Sequence, residues 1–214
     1  MNKKKKWIEF RFSLATIPVM GMSGSFCLNR LNYLAKSIRV SKLKMLDNEG
    51  NETMQIREIE EKDNQIIEKI IKRSLESFNL NIPGTAYFDP QLSSLAQYYK
   101  EQSNSKYWVA VNVQNEVVGG VGIAPFGQGM GICELQKLYI TPEAQGMGLS
   151  KDLMKVALDF AKEHYTHCYL ETLKKLQAAN LLYIKLGFQQ LERPLDGSEH
   201  NATDAWLIKD LSQD

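Results

Sequence analysis

Cysteine is scarce in this 214-residue chain, and Cys27, Cys133 and Cys168 form an odd set with no paired spacing. That excludes a disulfide framework; the expected setting is reducing and cytoplasmic, with the thiols as small buried hydrophobes. His164, His167 and Cys168 lie close together, but no second cluster of ligating residues accompanies them, so no metal is expected. No Gly-Lys-Ser/Thr triplet occurs, which argues against a nucleotide triphosphatase. Repeats and low-complexity tracts are missing as well. Long apolar runs are also absent. The uncharged stretch from Phe12 to Asn29 carries Pro18, Gly21 and Gly24 and is too polar for a membrane span.

What charge there is falls unevenly. The net charge of +1 hides ten Lys and Arg in residues 1–44, set against the single Glu9. The remaining 170 residues are acidic on balance, which argues against a nucleic-acid groove in the body of the protein. Residues 1–53 are therefore expected to be a basic, poorly ordered extension or a start assigned too early. A targeting segment and a basic arm on anionic lipid or nucleic acid are the alternatives. The folded domain is expected over 54–214, with neither nucleic acid nor membrane as a partner.

From Met54 the pattern becomes regular. "MQIREI" alternates as a strand does, and Ile67, Ile71 and Phe78 recur at helical spacing before Pro83–Gly84. A second helix is expected with Asp89 as its N-cap and Pro90 at its first position. "KYWVAVNV" and "VVGGVGIAPF" read as a hairpin, "PFGQGMG" as a loop, and "ICELQKLYI" as a third strand. Leu149, Leu153, Val156 and Phe160 then mark a helix to about Tyr165. "HCYLETL" is a strand, a helix follows to Gly187, and "FQQLER" and "ATDAWLIKDL" close the chain as strands. The order is strand, two helices, three strands, helix, strand, helix, two strands.

The stretch "LYITPEAQGMGLSKDLM" (138–154) places Gly146 and Gly148 where a helix begins, although Ser, Thr or Asp would cap it better. A helix start presents unpaired N–H groups and a partial positive charge, and glycines let a ligand approach the backbone. That arrangement suits a phosphate or pyrophosphate; a tight turn with no ligand is the alternative.

Gln145-x-x-Gly148-x-Ser150, followed at a fixed distance by Leu182-Tyr183-x-x-x-Gly187-Phe188, resembles the GNAT superfamily of acyl-CoA-dependent N-acetyltransferases, and so does the element order over roughly 54–210. The resemblance implies an α/β fold: a central mixed, mostly antiparallel sheet with splayed central strands, flanked by helices. It implies acetyl-CoA as co-substrate, with Leu138 and Ile140 offering backbone hydrogen bonds to pantetheine. The amides of Gln145, Gly146, Met147, Gly148, Leu149 and Ser150 would hold the pyrophosphate. The chain departs from the family pattern at Ser150, where Gly or Ala is usual, and at Leu176, where Asn is common. Asn180, four residues on, is the nearby candidate for the missing polar contact.

Acetyl transfer to an amine needs a base for the ammonium, a donor for the thioester oxygen and an acid for the departing thiolate. The resemblance makes Tyr183 the expected acid, and its helix face carries the small residues Ala179 and Gly187. A backbone N–H near Leu138 is the expected oxygen donor. Glu134 and Glu171 are the candidate bases, Glu134 preferred. An acid on a central strand is costly to bury unless paired or functional, so each is alternatively a partner of Lys137, Lys174 or a backbone amide. Bulk water as the base is also open. The acceptor is expected to be a small-molecule amine or a protein amino group, flanked by "NLNIPGTAYFDP" and "RPLDGSEHN", whose Asp89, Asp196 and Glu199 suit a cation. A homodimer is possible for such a chain. A non-catalytic acyl-CoA-binding regulatory module is the alternative function.

Overall fold

The alternating stretch at the start of the domain forms β1 (Gln55–Glu58), and it pairs antiparallel with β2 (Lys106–Val111). The structure, a computed structural model, describes residues 54–127, 131–198 and 202–212. The basic extension with Cys27, the centre of the "PFGQGMG" loop and Glu199 lie outside the described residues. Between β1 and β2 run α1 (Asn64–Ser77) and α2 (Leu95–Glu101). Then follow β3 (Val117–Pro125), β4 (Ile132–Ile140), α3 (Leu149–His164), β5 (His167–Thr172), α4 (Gln177–Lys185), β6 (Gln189–Leu191) and β7 (Ala205–Asp210). The element order is the one the periodicities predict.

The strands lie in the order β1-β2-β3-β4-β5-β7-β6. Every pairing is antiparallel except β4 with β5. The sheet is covered on both faces, so its middle strands are apolar on both sides. Tyr107, Val109 and Val111 of β2 pack with Ile67, Ile71 and Leu75 of α1 and Leu95 and Tyr99 of α2. Their neighbours Trp108 and Ala110 face the other way, onto Leu149, Leu153, Met154, Ala157 and Ala161 of α3 and Tyr183 of α4. The buried residues of α3 recur at four- and three-residue spacing, which is why one stripe of that helix faces the sheet.

The segment expected as a single helix from Asp89 divides in two. Pro90–Ser94 forms a 3-10 turn, and α-helical geometry begins only at Leu95. Asp89 has the extended backbone of an N-cap, but its side chain caps nothing. Its carboxylate instead forms an ion pair with Lys137 Nζ at 2.6 Å. The charge attraction of a buried ammonium outweighs the weaker bond to a helix N–H.

Candidate active site

Two local features of the sheet create the site. The first is the parting of β4 and β5. They pair over Ile132–His167, Cys133–Cys168 and Glu134–Tyr169, and no further rung is made although both strands continue. The second is a bulge in β4. On β3 the register passes from Gly120 to Gly122 while on β4 it passes from Tyr139 to Gln136, so β4 carries one extra residue. Lys137 takes it up with φ of 53°, a left-handed conformation rare for a side chain of that size.

The bulge is held from the α1/α2 face. The Tyr107 hydroxyl donates to the Lys137 carbonyl at 3.0 Å, and the Tyr99 hydroxyl donates to Gln136 Oε1 at 2.7 Å. Both rings fit because β3 carries glycine beneath them. A Cβ at Gly120 would lie 2.6 Å from the Tyr107 ring, and one at Gly122 would lie 2.3 Å from the Tyr99 hydroxyl. Lys137 points to the same face: its side chain is 2% exposed and paired with Asp89. An unpaired buried ammonium would be costly, and the Asp89 carboxylate supplies its partner.

A cleft of about 140 Å³ opens where the strands separate. Glu134, Gln136, Lys137, Leu138 and Tyr139 line it from β4, and Glu171 and Thr172 from β5. Leu75, Leu80, Thr85 and Ala86 close it on the α1 side, and Leu176, Ala179 and Tyr183 on the α4 side. The structure thus brings Glu134, Glu171, Leu138 and Tyr183 to one cavity. Gln136 Nε2 donates to Glu134 Oε2 at 2.6 Å. Glu171 is held on both oxygens, by the Tyr169 hydroxyl at 3.1 Å and the Thr203 hydroxyl at 3.0 Å. Neither lysine named as a structural partner is committed to a glutamate in this way. Lys137 pairs with Asp89, and Lys174 offers its backbone N–H to Asp204 Oδ1 at 2.7 Å.

Tyr183 is 7% exposed, and its hydroxyl has no hydrogen-bond partner among the described residues. Burial pushes its pKa well above the usual phenol value, with a smaller contribution from the neighbouring Cys168 thiol. The hydroxyl is therefore a proton donor at neutral pH.

Beyond the end of β4, α3 starts at Gly148 with no side-chain cap. Gly146 and Gly148 have φ of 80° and 82°, and a Cβ at either would meet nothing within 4 Å. Glycine is there for backbone conformation and open approach, and the uncapped start is a fit for a phosphate. The Gln145 amide is already engaged, donating to the Pro142 carbonyl at 3.2 Å. Thr141 N–H bonds the Val118 carbonyl on the β3 side. By strand alternation the peptide groups of Ile140 and Leu138 face the side where β5 has parted. Asn180 donates its side-chain amide to the carbonyls of Leu173 and Leu176, at 2.8 and 2.9 Å, and so fastens the start of α4. Of the acids expected beside the acceptor, Asp89 is neutralised by Lys137, and Asp196 is exposed in its loop.

A mixed, mostly antiparallel sheet with parted central strands and an uncapped glycine-lined helix start is the arrangement that the resemblance to the N-acetyltransferases implies. Residues 73–188 match the acetyltransferase (GNAT) family, and the chain belongs to it. Over 152 residues it is 38% identical to YjgM, an uncharacterized N-acetyltransferase of Escherichia coli K12, covering 70% of this chain and 90% of that one. Over 101 residues it is 35% identical to N-acetylaspartate synthetase of Xenopus tropicalis, covering 47% of this chain and 36% of that protein. Among solved structures, a GNAT-family acetyltransferase from Staphylococcus aureus Mu50 superposes with a TM-score of 0.64 at 21% identity, over 74% of this chain and 99% of that one. A Vibrio cholerae spermidine N-acetyltransferase, solved with CoA and spermine, has a TM-score of 0.57 at 19% identity, over 76% and 98%. Among the described residues no group of side chains is arranged to hold a metal, and no helix is long and apolar enough to cross a membrane.

Proposed function

We propose that the protein transfers an acetyl group from acetyl-CoA to the primary amine of an acceptor, by direct attack while both substrates are bound. The observation that carries this reading is the common cleft: Glu134, the bulged strand and Tyr183 line one cavity, and that strand leads within nine residues to the uncapped start of α3. The amides of Gly146 through Ser150 hold the pyrophosphate, and the peptide groups of Leu138 and Ile140 hold pantetheine. The Glu134 carboxylate takes a proton from the ammonium, directly or through water. The amine nitrogen then bonds to the thioester carbon, and an N–H near Leu138 stabilises the charge on its oxygen. The C–S bond breaks and the thiolate takes the Tyr183 proton; the second proton shed by the new amide nitrogen restores the Tyr183 hydroxyl through water, and Glu134 returns its own proton to solvent. Glu171, held by Tyr169 and Thr203, adds negative potential that favours a cationic acceptor.

The loops over the acceptor side support a small acceptor rather than a protein amino group. Ala202 N–H reaches the Gly84 carbonyl at 3.4 Å, Lys175 Nζ reaches the Phe78 carbonyl at 2.8 Å, and Asp89 is tied to Lys137. The first two ties join the segment after α1 to the loops that follow β5 and precede β7, and an extended peptide crossing between them would have to break them. The free buried thiols Cys133 and Cys168 support a cytoplasmic setting.

The test is thiol release from acetyl-CoA with a panel of amino acids, diamines and an N-terminal peptide. Turnover is expected with at least one small amine, and Glu134→Gln is expected to lower kcat by about a hundredfold. Tight CoA binding without turnover on any amine would instead establish a non-catalytic acyl-CoA-binding module.

A further inference from the structure

We propose that Tyr99 and Gln136 are positioning residues, a hydrogen-bonded pair that aims the Glu134 carboxylate at the acceptor amine. This rests on the reading of Glu134 as the base. The geometry fixes the direction of each bond. Tyr99 is buried, and burial holds its phenol well above the usual value, so it stays protonated and donates. It donates to Gln136 Oε1 at 2.7 Å, which turns the Gln136 amide nitrogen towards Glu134 Oε2, 2.6 Å away. The reversed amide would set its oxygen against the carboxylate and is excluded on that ground. The Glu134 backbone is fixed as well, because Glu134 sits on the last rung that β4 shares with β5. Backbone and side chain of the base are thus both set at the point where the strands part.

Gly122 is a third member of this arrangement. With any Cβ there, the Tyr99 hydroxyl must move, since the ideal Cβ position lies 2.3 Å from its oxygen. A glycine in the middle of a buried strand is unfavourable for the strand itself. Here it is what lets the phenol reach Gln136.

The titratable groups around Glu134 are Tyr99 from α2, and Tyr169 and Cys168 from β5. Glu171, Tyr139, Tyr183 and Lys137, the last paired with Asp89, line the same cleft. Burial raises Tyr99, Tyr169 and Cys168 above their ordinary values, so all three are neutral in the range where carboxylates titrate. The acid limb of the rate profile therefore reports a carboxylate. An amide N–H bonded to a carboxylate favours its charged form, so loss of a correctly turned Gln136 moves that limb to higher pH.

The experiment measures kcat/KM against pH for the full chain, with acetyl-CoA and an amine the wild type accepts, in Tyr99→Phe, Gln136→Met and Tyr98→Phe. In Tyr99→Phe and Gln136→Met the acid limb is expected to rise by about half to one pH unit. Their kcat should fall by about three- to tenfold, while KM for acetyl-CoA stays within about twofold. Tyr98→Phe, which alters a neighbouring ring with no bond to Gln136, should leave the limb in place. In a Glu134→Gln background, Tyr99→Phe should have no further effect on kcat, because the group it positions has gone. An unmoved limb in folded Tyr99→Phe, or an undiminished Tyr99→Phe effect without Glu134, overturns the proposal. If Gln136→Met fails to fold, Tyr99→Phe decides alone, since it removes one oxygen and keeps the packing. Failure of wild type to turn over any amine would sink the parent reading, a different result from a positioning effect that is absent in an active enzyme.

Discussion

Tyr183 shows how one position joins packing to chemistry. Its ring is buried against Phe188, with centroids 5.9 Å apart, while its hydroxyl lies at the cleft. Burial favours the neutral phenol, so the folded protein holds this proton beyond the ordinary tyrosine value near 10. An acid of this kind is lost only when pH rises through the raised value. Activity between pH 7 and 10 is therefore independent of Tyr183 ionisation. Tyr183→Phe is expected to lower kcat by about ten- to a hundredfold at every pH in that interval, with CoA affinity changed less than about threefold. A rate profile that converges on wild type above pH 9 would show that deprotonation of Tyr183 had been limiting, against this assignment.

The start of α3 is an element that sequence alone described well, because everything it needs is local. Gly146, Gly148 and the stripe from Leu149 lie within a few residues of one another, and their φ values of 80° and 82° follow from the turn they make. Their role yields a separable prediction. Gly148→Ala forces a side chain into the left-handed region, a cost of about 1–2 kcal/mol in stability that urea melts would detect. The free protein has room for the methyl group; with the pyrophosphate at the proposed site, the bound ligand is what it would strike. CoA affinity is expected to fall by about tenfold or more, while affinity for pantetheine, which lacks the pyrophosphate, changes little; calorimetry with both ligands makes the comparison. Equal losses for the two would place the pyrophosphate elsewhere. The β4 bulge was not legible in the same way. "ELQKLYI" breaks its alternation at the polar pair Gln136–Lys137, but the residues that shape the bulge there, Tyr99, Tyr107, Gly120 and Gly122, reach it from other elements. The central glycines of "VVGGVG" were the other available signal, since a glycine inside a strand marks a bulge or a close approach. Asp89 stands at the N-cap position with Pro90 after it, as expected, but the use of its side chain was hidden for a related reason. Its local context spells an N-cap, and only the fold brings Lys137 within 2.6 Å of it.

At the scale of the molecule, the sheet separates two cores and the cleft passes between them, so stability and catalysis can be perturbed independently. The junction of β1 with α1, remote from the cleft, offers the clearest case. Arg57 on β1 donates to both oxygens of Asp63, at 2.6 and 2.9 Å, and the Glu60 N–H donates to the same carboxylate at 2.8 Å. Burial alone would raise the Asp63 pKa, but these bonds and the positive charges of Arg57 and Lys62 outweigh it and hold the carboxyl below its ordinary value. Arg57 is raised in turn, chiefly by its bond to Asp63. A carboxyl depressed by folding contributes stability that is fully present above the unfolded value of about 3.9 and is lost as pH falls through the folded value. Asp63→Asn keeps the shape of the side chain and removes the charge. It is expected to cost about 2 kcal/mol at pH 7, within the range for bonds to a charged group. The gap between variant and wild type should persist at pH 5, narrow below pH 4 and close once Asp63 is protonated in the folded wild type. Urea melts across pH 7, 5, 3 and 2 measure it directly, and a gap as large at the lowest pH as at pH 7 would mean that the mismatched amide nitrogen, not the lost charge, is what costs the variant its stability.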